Sequence, residues 1–347
     1  MRVLLSGKCI VMLVIVTIAC AVMLPACQPD KPSALSEQEL MTTTSDCSYY
    51  HATWQDRVKL ADKHSELPLN INIKAEWEGV GPESNGHNGD GCYYIDLWYD
   101  TTNDEKVPAY IVYPRNQGDG PFPIVVIGTG GSHGRDIAGL QHVAEYFANN
   151  GLAAMVITFK YYRERSQEGL YQACTDPQKR VQWMYQNFVD IRRALMVIDK
   201  LGDSHNFDAA KAGYIGWSFG GLMGECATVV EPLFKAQVFC LAGSQYPEIL
   251  TCGTRVCDED KARKDCGNAE SLEWVEPRWF LPHIGSDCPV LFIAGTKDNR
   301  VTPDEVEEAY DLVTSTAKEL HWFEGGHSDF SIAEYFYARE WLKRKLQ

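Results

Sequence analysis

The residues best placed to do chemistry lie in Gly216-Trp217-Ser218-Phe219-Gly220, a G-x-S-x-G pattern centred on a serine. The pattern alone is weak evidence. Its setting strengthens it, because a short apolar run ending at Trp217 gives way to helical spacing from Phe219. A serine there sits on a sharp strand-to-helix turn with its hydroxyl lifted clear of a sheet, and flanking glycines permit the close backbone contacts such a turn needs. Gly221 and Gly224 thin the helix surface so that it can lie against the sheet. A serine hydroxyl is a poor nucleophile near neutral pH unless a base takes its proton. In this kind of turn the partners follow in the order serine, acid, histidine. Asp298 stands just after the apolar run Pro289–Gly295, and His327 follows Gly325-Gly326 after the next short run. Their competitors are placed less well. Asp304 reads as a first-turn charge of the helix after Pro303, Asp287 precedes its strand, and His321 lies at the start of one.

Positioning these groups requires alternating strands and helices. Strands are predicted at 93–99 and 107–113, joined as a hairpin by a polar turn, and at 123–128, 152–159, 212–217, 236–241, 289–294 and 320–323. Most of these are the unbroken apolar runs of strands buried on both faces. Helices are predicted at 136–149, 179–201, 219–230, 304–314 and 330–345 from their 3.6-residue periodicity. The fold class is therefore α/β, with a mostly parallel central sheet covered by helices on both faces and an antiparallel edge. The alternation lapses between the sixth and seventh of these strands, at about 243–287. That stretch reads as an insertion containing Cys252, Cys257 and Cys266.

The loop Gly128-Thr129-Gly130-Gly131-Ser132-His133-Gly134 is rich in small residues. Its backbone donors, at Thr129 or Gly130, together with the N–H of Phe219, are expected to form an oxyanion hole. Trp217 and His133 are expected at the substrate pocket, although an aromatic such as Trp217 is as often core. Neither a metal nor an organic cofactor is called for.

From about Tyr93 to Leu346 the chain resembles the α/β-hydrolases of the dienelactone-hydrolase and prolyl-oligopeptidase branch. The resemblance is carried by Gly-Trp-Ser218-Phe-Gly-Gly, by Gly-Thr-Lys-Asp298-Asn-Arg-Val-Thr-Pro and by Gly-Gly-His327. It implies the α/β-hydrolase fold, Ser218 as nucleophile, His327 as general base and then acid, and Asp298 orienting the imidazole. The chain departs from dienelactone hydrolases proper, whose nucleophile is cysteine. The Gly-Trp-Ser-x-Gly-Gly form is also similar to that of secreted cutinase-like polyesterases. A small-molecule ester is the expected substrate. Two other readings stay open: an acyltransferase or thioesterase resembling bile-acid-CoA N-acyltransferases, and a non-catalytic binding lipoprotein.

Composition narrows the partners. The 347 residues carry a net charge of −15 with 45% apolar and 23% charged side chains. This suits a soluble acidic surface and argues against nucleic acid. Near the N-terminus, Arg2 and Lys8 flank an apolar stretch from Cys9 to Leu24. As a helix it would span about 24 Å, short of the roughly 30 Å hydrocarbon core, so 1–26 reads as a signal peptide. Leu24-Pro25-Ala26-Cys27 resembles the lipobox of bacterial lipoproteins, with Pro25 a poor match; Thr17-Ile18-Ala19-Cys20 is a weaker candidate. The expectation is an exported protein, periplasmic or membrane-anchored through a lipid on Cys27. A polar Ser/Thr/Pro-rich tether would follow at 27–46, and the catalytic domain would occupy 47–347. Of twelve cysteines, those after the leader are free to pair in an oxidising compartment. A bridge within 252–266 and a tie between Cys47 and Cys92 are both expected.

Overall fold

The computed structural model describes residues 66–79, 92–102, 104–115, 120–131, 138–165, 173, 177–230, 234–245 and 276–347, all within one compact unit spanning 32–347. The predicted leader, tether, Cys27, Cys47 and His133, and the centre of the insertion with Cys252, Cys257 and Cys266, lie outside the described residues.

Among the described residues nine strands form one sheet. They are β1 (Asn72–Glu78), β2 (Cys92–Asp100), β3 (Lys106–Pro114), β4 (Phe122–Gly128), β5 (Ala153–Ile157), β6 (Phe207–Trp217), β7 (Ala236–Cys240), β8 (Val290–Gly295) and β9 (Lys318–Phe323). Their spatial order is β1-β2-β3-β5-β4-β6-β7-β8-β9. The pairs from β5 through β9 are parallel, and β1, β2 and β3 add antiparallel pairs at one edge. The helices are α1 (Ala138–Ala148), α2 (Pro177–His205), α3 (Phe219–Val230), α4 (Pro303–Leu312) and α5 (Ile332–Leu346).

The expected hairpin is β2–β3, in register from Cys92↔Pro114 to Asp100↔Lys106. Strand β1 is an addition to the expected set. It lies at the sheet edge and is exposed along nearly its whole length, so no burial pattern betrays it; Trp77 stacks flat on Tyr94 at 5.1 Å. Counting β1, the expected insertion falls between β7 and β8. Its described end forms two short 3-10 turns at Pro277–Trp279 and Leu281–His283.

The sheet divides the core in two. On one face α2, α3 and α4 cover Ile124, Val126, Met155, Tyr214, Phe239 and Phe292. On the other α1 and α5 cover Val125, Ile127, Val156, Ile215, Val238 and Ile293. Alternate residues of each inner strand thus go to opposite sides, and both sides are apolar, which explains the unbroken runs.

Polar ties anchor α2 to the sheet edge. Arg193 is fully buried and donates to the carbonyls of Leu67, Pro68 and Asp100. Arg165 pairs with Asp190 of α2 and with Glu105 at 2.7 Å. This fixes the 158–165 loop that leaves β5 at the carboxyl end of the sheet.

Cys92, Cys240 and Cys288 are free thiols. This corrects the expected tie from Cys92: its Sγ lies 3.5 Å from Asn149 Oδ1, and burial pushes its thiol up to about 12.

Candidate active site

Ser218 is the single residue between the end of β6 and the start of α3, and it adopts φ +50°. A residue with a Cβ is disfavoured in that region by about 1–2 kcal/mol, so the surroundings must impose it. Ser218 N donates to Cys240 O at 2.8 Å on β7, and Leu222 N donates to Ser218 O at 3.0 Å. The flanking glycines let the backbones close in. A Cβ on Gly216 would collide with Gly220 O, and one on Gly220 would collide with Gly128 O and lie 2.7 Å from Thr129 O. The helix thinning expected of Gly224 has a definite partner, because a Cβ there would enter the Tyr214 ring. Tyr214 in turn donates to Gly220 O at 2.6 Å.

Asp298 ends the turn after β8, and His327 lies in the turn after β9. Adjacent parallel strands bring these turns together, and Thr296 N to Phe323 O (3.0 Å) and Lys297 N to Gly325 O (2.8 Å) lock them. Asp329 Oδ2 accepts from Gly326 N at 2.8 Å and closes the loop that carries the histidine. Ser218 Oγ is 2.9 Å from His327 Nε2, and His327 Nδ1 is 2.7 Å from Asp298 Oδ2. A neutral imidazole with its proton on Nδ1 satisfies both bonds, donating to the carboxylate and accepting from the hydroxyl.

Asp298 is 5% exposed. Burial pushes its carboxyl up. The His327 hydrogen bond and the N–H groups of Arg300 (2.8 Å) and Val301 (3.1 Å) outweigh this and hold it below the usual carboxylate range. An ionised acid is thereby fixed behind the imidazole. The rejected competitors lie elsewhere. His321 stacks on Tyr337 at 4.0 Å, and Asp304 lies in the first turn of α4, whose capping box is made by Thr302 and Glu305.

Thr129 and Gly130 follow β4 directly, and Gly128 pairs with Gly216 in register. Gly220 packs on the Gly128 and Thr129 carbonyls, so this loop begins against the first turn of α3. The N–H of Phe219 is one of the donors a helix start leaves without an intrahelical partner. The Phe219 ring is fully buried. It stacks on Trp183 at 5.1 Å, with Phe159 and Tyr162 edge-on at 5.8 Å each.

Trp217, expected at the pocket, faces the side of the sheet covered by α1 and α5. It is 7% exposed and belongs to the α1/α5 core, packing against Tyr335 at 5.0 Å and Phe330 at 6.3 Å. Strand alternation sends it there, opposite the Tyr214 side.

Sequence reasoning passed over Glu225. It lies two turns into α3, fully buried, with neither carboxyl oxygen hydrogen-bonded. Burial raises its carboxyl well above the ordinary range, so it is held as a neutral acid. The signal was available: Glu225 is the one charged residue in the stretch Phe219–Val230.

A model of the prolyl oligopeptidase family matches residues 180–346, the segment that carries Ser218, Asp298 and His327. No curated protein matches significantly. Among solved structures, acetyl xylan esterase 1 from Thermoanaerobacterium sp. JW/SL YS485 is similar over 90% of this chain and 99% of its own, at 15% identity and a TM-score of 0.64. A cold-adapted esterase from an Arctic intertidal metagenomic library is similar over 74% of this chain and 95% of its own, at 18% identity and a TM-score of 0.55. The acylaminoacyl peptidase of Pyrococcus horikoshii is similar over 74% of this chain and 48% of its own, at 17% identity and a TM-score of 0.54. At these identities the structures speak to the fold, which is that of the α/β-hydrolases. With the family match, they support a serine hydrolase.

Proposed function

We propose that the chain is a carboxylic-ester hydrolase working through an acyl-enzyme at Ser218. The observation that carries this reading is the continuous path Ser218 Oγ–His327 Nε2–Nδ1–Asp298 Oδ2, at 2.9 and 2.7 Å, with the serine on a left-handed turn. Oγ attacks the carbonyl carbon of the ester while its proton passes to His327 Nε2. The carbonyl oxygen becomes an oxyanion facing the N–H groups of Phe219 and of Thr129 or Gly130. Collapse breaks the C–O bond, and the leaving alcohol takes the proton from Nε2. Water then repeats the sequence, releasing the acid and restoring Ser218. Asp298 keeps the imidazole in the tautomer that accepts the serine proton and stabilises the cation once formed. None of these steps draws on a metal or cofactor.

Esters are favoured over amides because two of the structures described above are esterases matched over 95% and 99% of their own length. The family match supports a peptidase as the second reading, and the two separate on paired p-nitrophenyl esters and p-nitroanilides of one acyl group. Export through the 1–26 leader and anchoring at Cys27 form part of the proposal. They would keep the enzyme away from acyl-CoA and so disfavour the acyltransferase reading. Fatty-acid labelling lost in Cys27→Ala tests the anchor.

The direct test is a fluorophosphonate probe with the adduct mapped by mass spectrometry. The expected result is labelling at Ser218 that disappears on heat denaturation and in Ser218→Ala, together with ester turnover. A folded protein that is neither labelled nor active on any ester of the panel would overturn the assignment and leave a binding lipoprotein.

A further inference from the structure

An apolar groove of about 520 Å³ runs between α1 and α5, within the roughly 300–1,000 Å³ of small-molecule sites. Leu140, Val143 and Tyr146 of α1 form one wall, and Phe330, Ile332 and Tyr335 form the other. Helices in a parallel α/β sheet run opposite to the strands they cover. The starts of α1 and α5 therefore lie at the carboxyl end of the sheet, where Ser218, Asp298 and His327 also sit. Both walls grow out of loops of the candidate site. The α1 wall follows the loop that opens with Thr129 and Gly130, and Phe330 lies three residues beyond His327. Trp217, next to Ser218 in the chain, backs the groove through its contacts with Phe330 and Tyr335.

His142, Glu145 and Ser331 of the rim have partners, while the Tyr146 hydroxyl is buried without a hydrogen-bond partner. His142 Nδ1 lies 3.3 Å from Glu145 Oε2, and Glu145 Oε1 accepts from Tyr94 at 2.8 Å. Ser331 Oγ donates to Glu334 Oε2 at 2.6 Å and caps α5. Apart from the Tyr146 hydroxyl, the groove offers a ligand aromatic and aliphatic surface. That surface continues outward over Ile332 and Phe336, which are 60% and 44% exposed; the Phe336 ring meets Tyr146 edge-on at 4.7 Å. Exposed apolar side chains contiguous with such a groove mark a binding surface.

We propose that this groove binds the apolar group of the ester, making the substrates uncharged esters with an extended aliphatic or aromatic moiety. The proposal rests on Ser218 being the nucleophile of an ester hydrolase. The apolar group sits on either the acyl or the alcohol side of the scissile bond, and two substrate series separate these. One is p-nitrophenyl esters from acetate to octanoate, the other acetates of ethanol to octanol, all kept monomeric in solution. Transfer of each methylene into an apolar site raises kcat/KM by up to about fourfold. The wild type is expected to climb with chain length in one series. In Ile332→Glu the climb should fall to less than half its slope; this exposed first-turn position of α5 tolerates an acid. In Val143→Trp, which fills the groove, the climb should stop at shorter chains. Near-UV circular dichroism establishes that each variant is folded, and Ile332→Glu carries the test if Val143→Trp is not. Fluorophosphonate labelling at Ser218 with a flat response in both series, or slopes unchanged in the variants, overturns the groove alone. Absence of labelling overturns the hydrolase reading and the groove with it.

Discussion

Replacing Glu225 by glutamine isolates one buried proton. In the folded protein the carboxyl is neutral, since both oxygens are buried without partners and its pKa is raised well above 4.5. In the unfolded chain it ionises near its ordinary value. Between that value and the raised folded pKa, the native state binds one more proton than the unfolded state, so stability falls as pH rises. The contribution is fully present below about pH 4.5 and shrinks by up to about tenfold in the folding equilibrium per pH unit until the pH reaches the folded value. Tyr214 is the neighbouring titratable group coupled to it. Burial raises that hydroxyl too, so it stays neutral over this range. The glutamine of the variant has nothing to titrate, and its unpaired amide adds an offset that does not vary with pH. Urea unfolding of both proteins, followed by tryptophan fluorescence at pH 5, 6 and 7, reads the difference directly. The variant's stability relative to wild type should rise with pH, by up to about tenfold in the folding constant per unit. Parallel curves would refute the reasoning, because they would mean that Glu225 is charged and paired in the native state.

Asp298→Asn should lower kcat by about 10³–10⁴-fold with little change in KM, through loss of the correct imidazole tautomer. Because the folded carboxyl lies below its ordinary range, its stabilising contribution is present above about pH 4 and lost as pH falls through the folded value. Acid unfolding of Asp298→Asn should accordingly be shallower than that of wild type. Trp183→Ala removes the ring stacked on Phe219 and should cost about 3–5 kcal/mol in urea unfolding. It should also reduce kcat more than KM, because the N–H of Phe219 loses its support. Gly224→Ala drives a methyl into the Tyr214 ring and should destabilise by about 1–3 kcal/mol, measured the same way. A neutral outcome would mean that α3 can retreat from β6 without disturbing the Ser218 turn.

Much of this architecture is readable from residues because the chemistry and the burial leave the same marks. Strands such as Val290–Gly295 are fully apolar because helices cover both faces, and Asp298 is recognisable because it follows such a strand, while His327 is marked by the Gly325-Gly326 pair before it. Legibility fails where burial does. In β1, Lys74, Glu76 and Glu78 alternate with Ile73, Ala75 and Trp77, but the strand is exposed along nearly its whole length. Helix α2 runs past the expected 201 to His205 because Ser204 Oγ and His205 Nδ1 engage Leu201 O, a local bond that periodicity does not register. Strand β6 begins at Phe207 rather than 212 because Phe122 and Phe207 face each other across β4 and β6. The side of the sheet on which Trp217 falls is set by alternation through the strand, while its composition suggested only an aromatic near a nucleophile. The bridging of Cys92 could not be read at all, since spacing does not reveal which thiols meet.

The order of the last four strands has a consequence for how activity arises in time. From β6 to β9 the chain lays each new strand beside the previous one, so Ser218 emerges with the first, Asp298 with the third and His327 after the fourth. A serine whose base has not yet docked is a plain alcohol. Leu342 and Leu346 of α5, which seat against Gly213 of the strand that leads to Ser218, come later still. A chain lengthening from its N-terminus therefore displays the reactive turn first and the means of activating it last. On the proposed function, the unfinished protein would be latent by the sequence of its assembly.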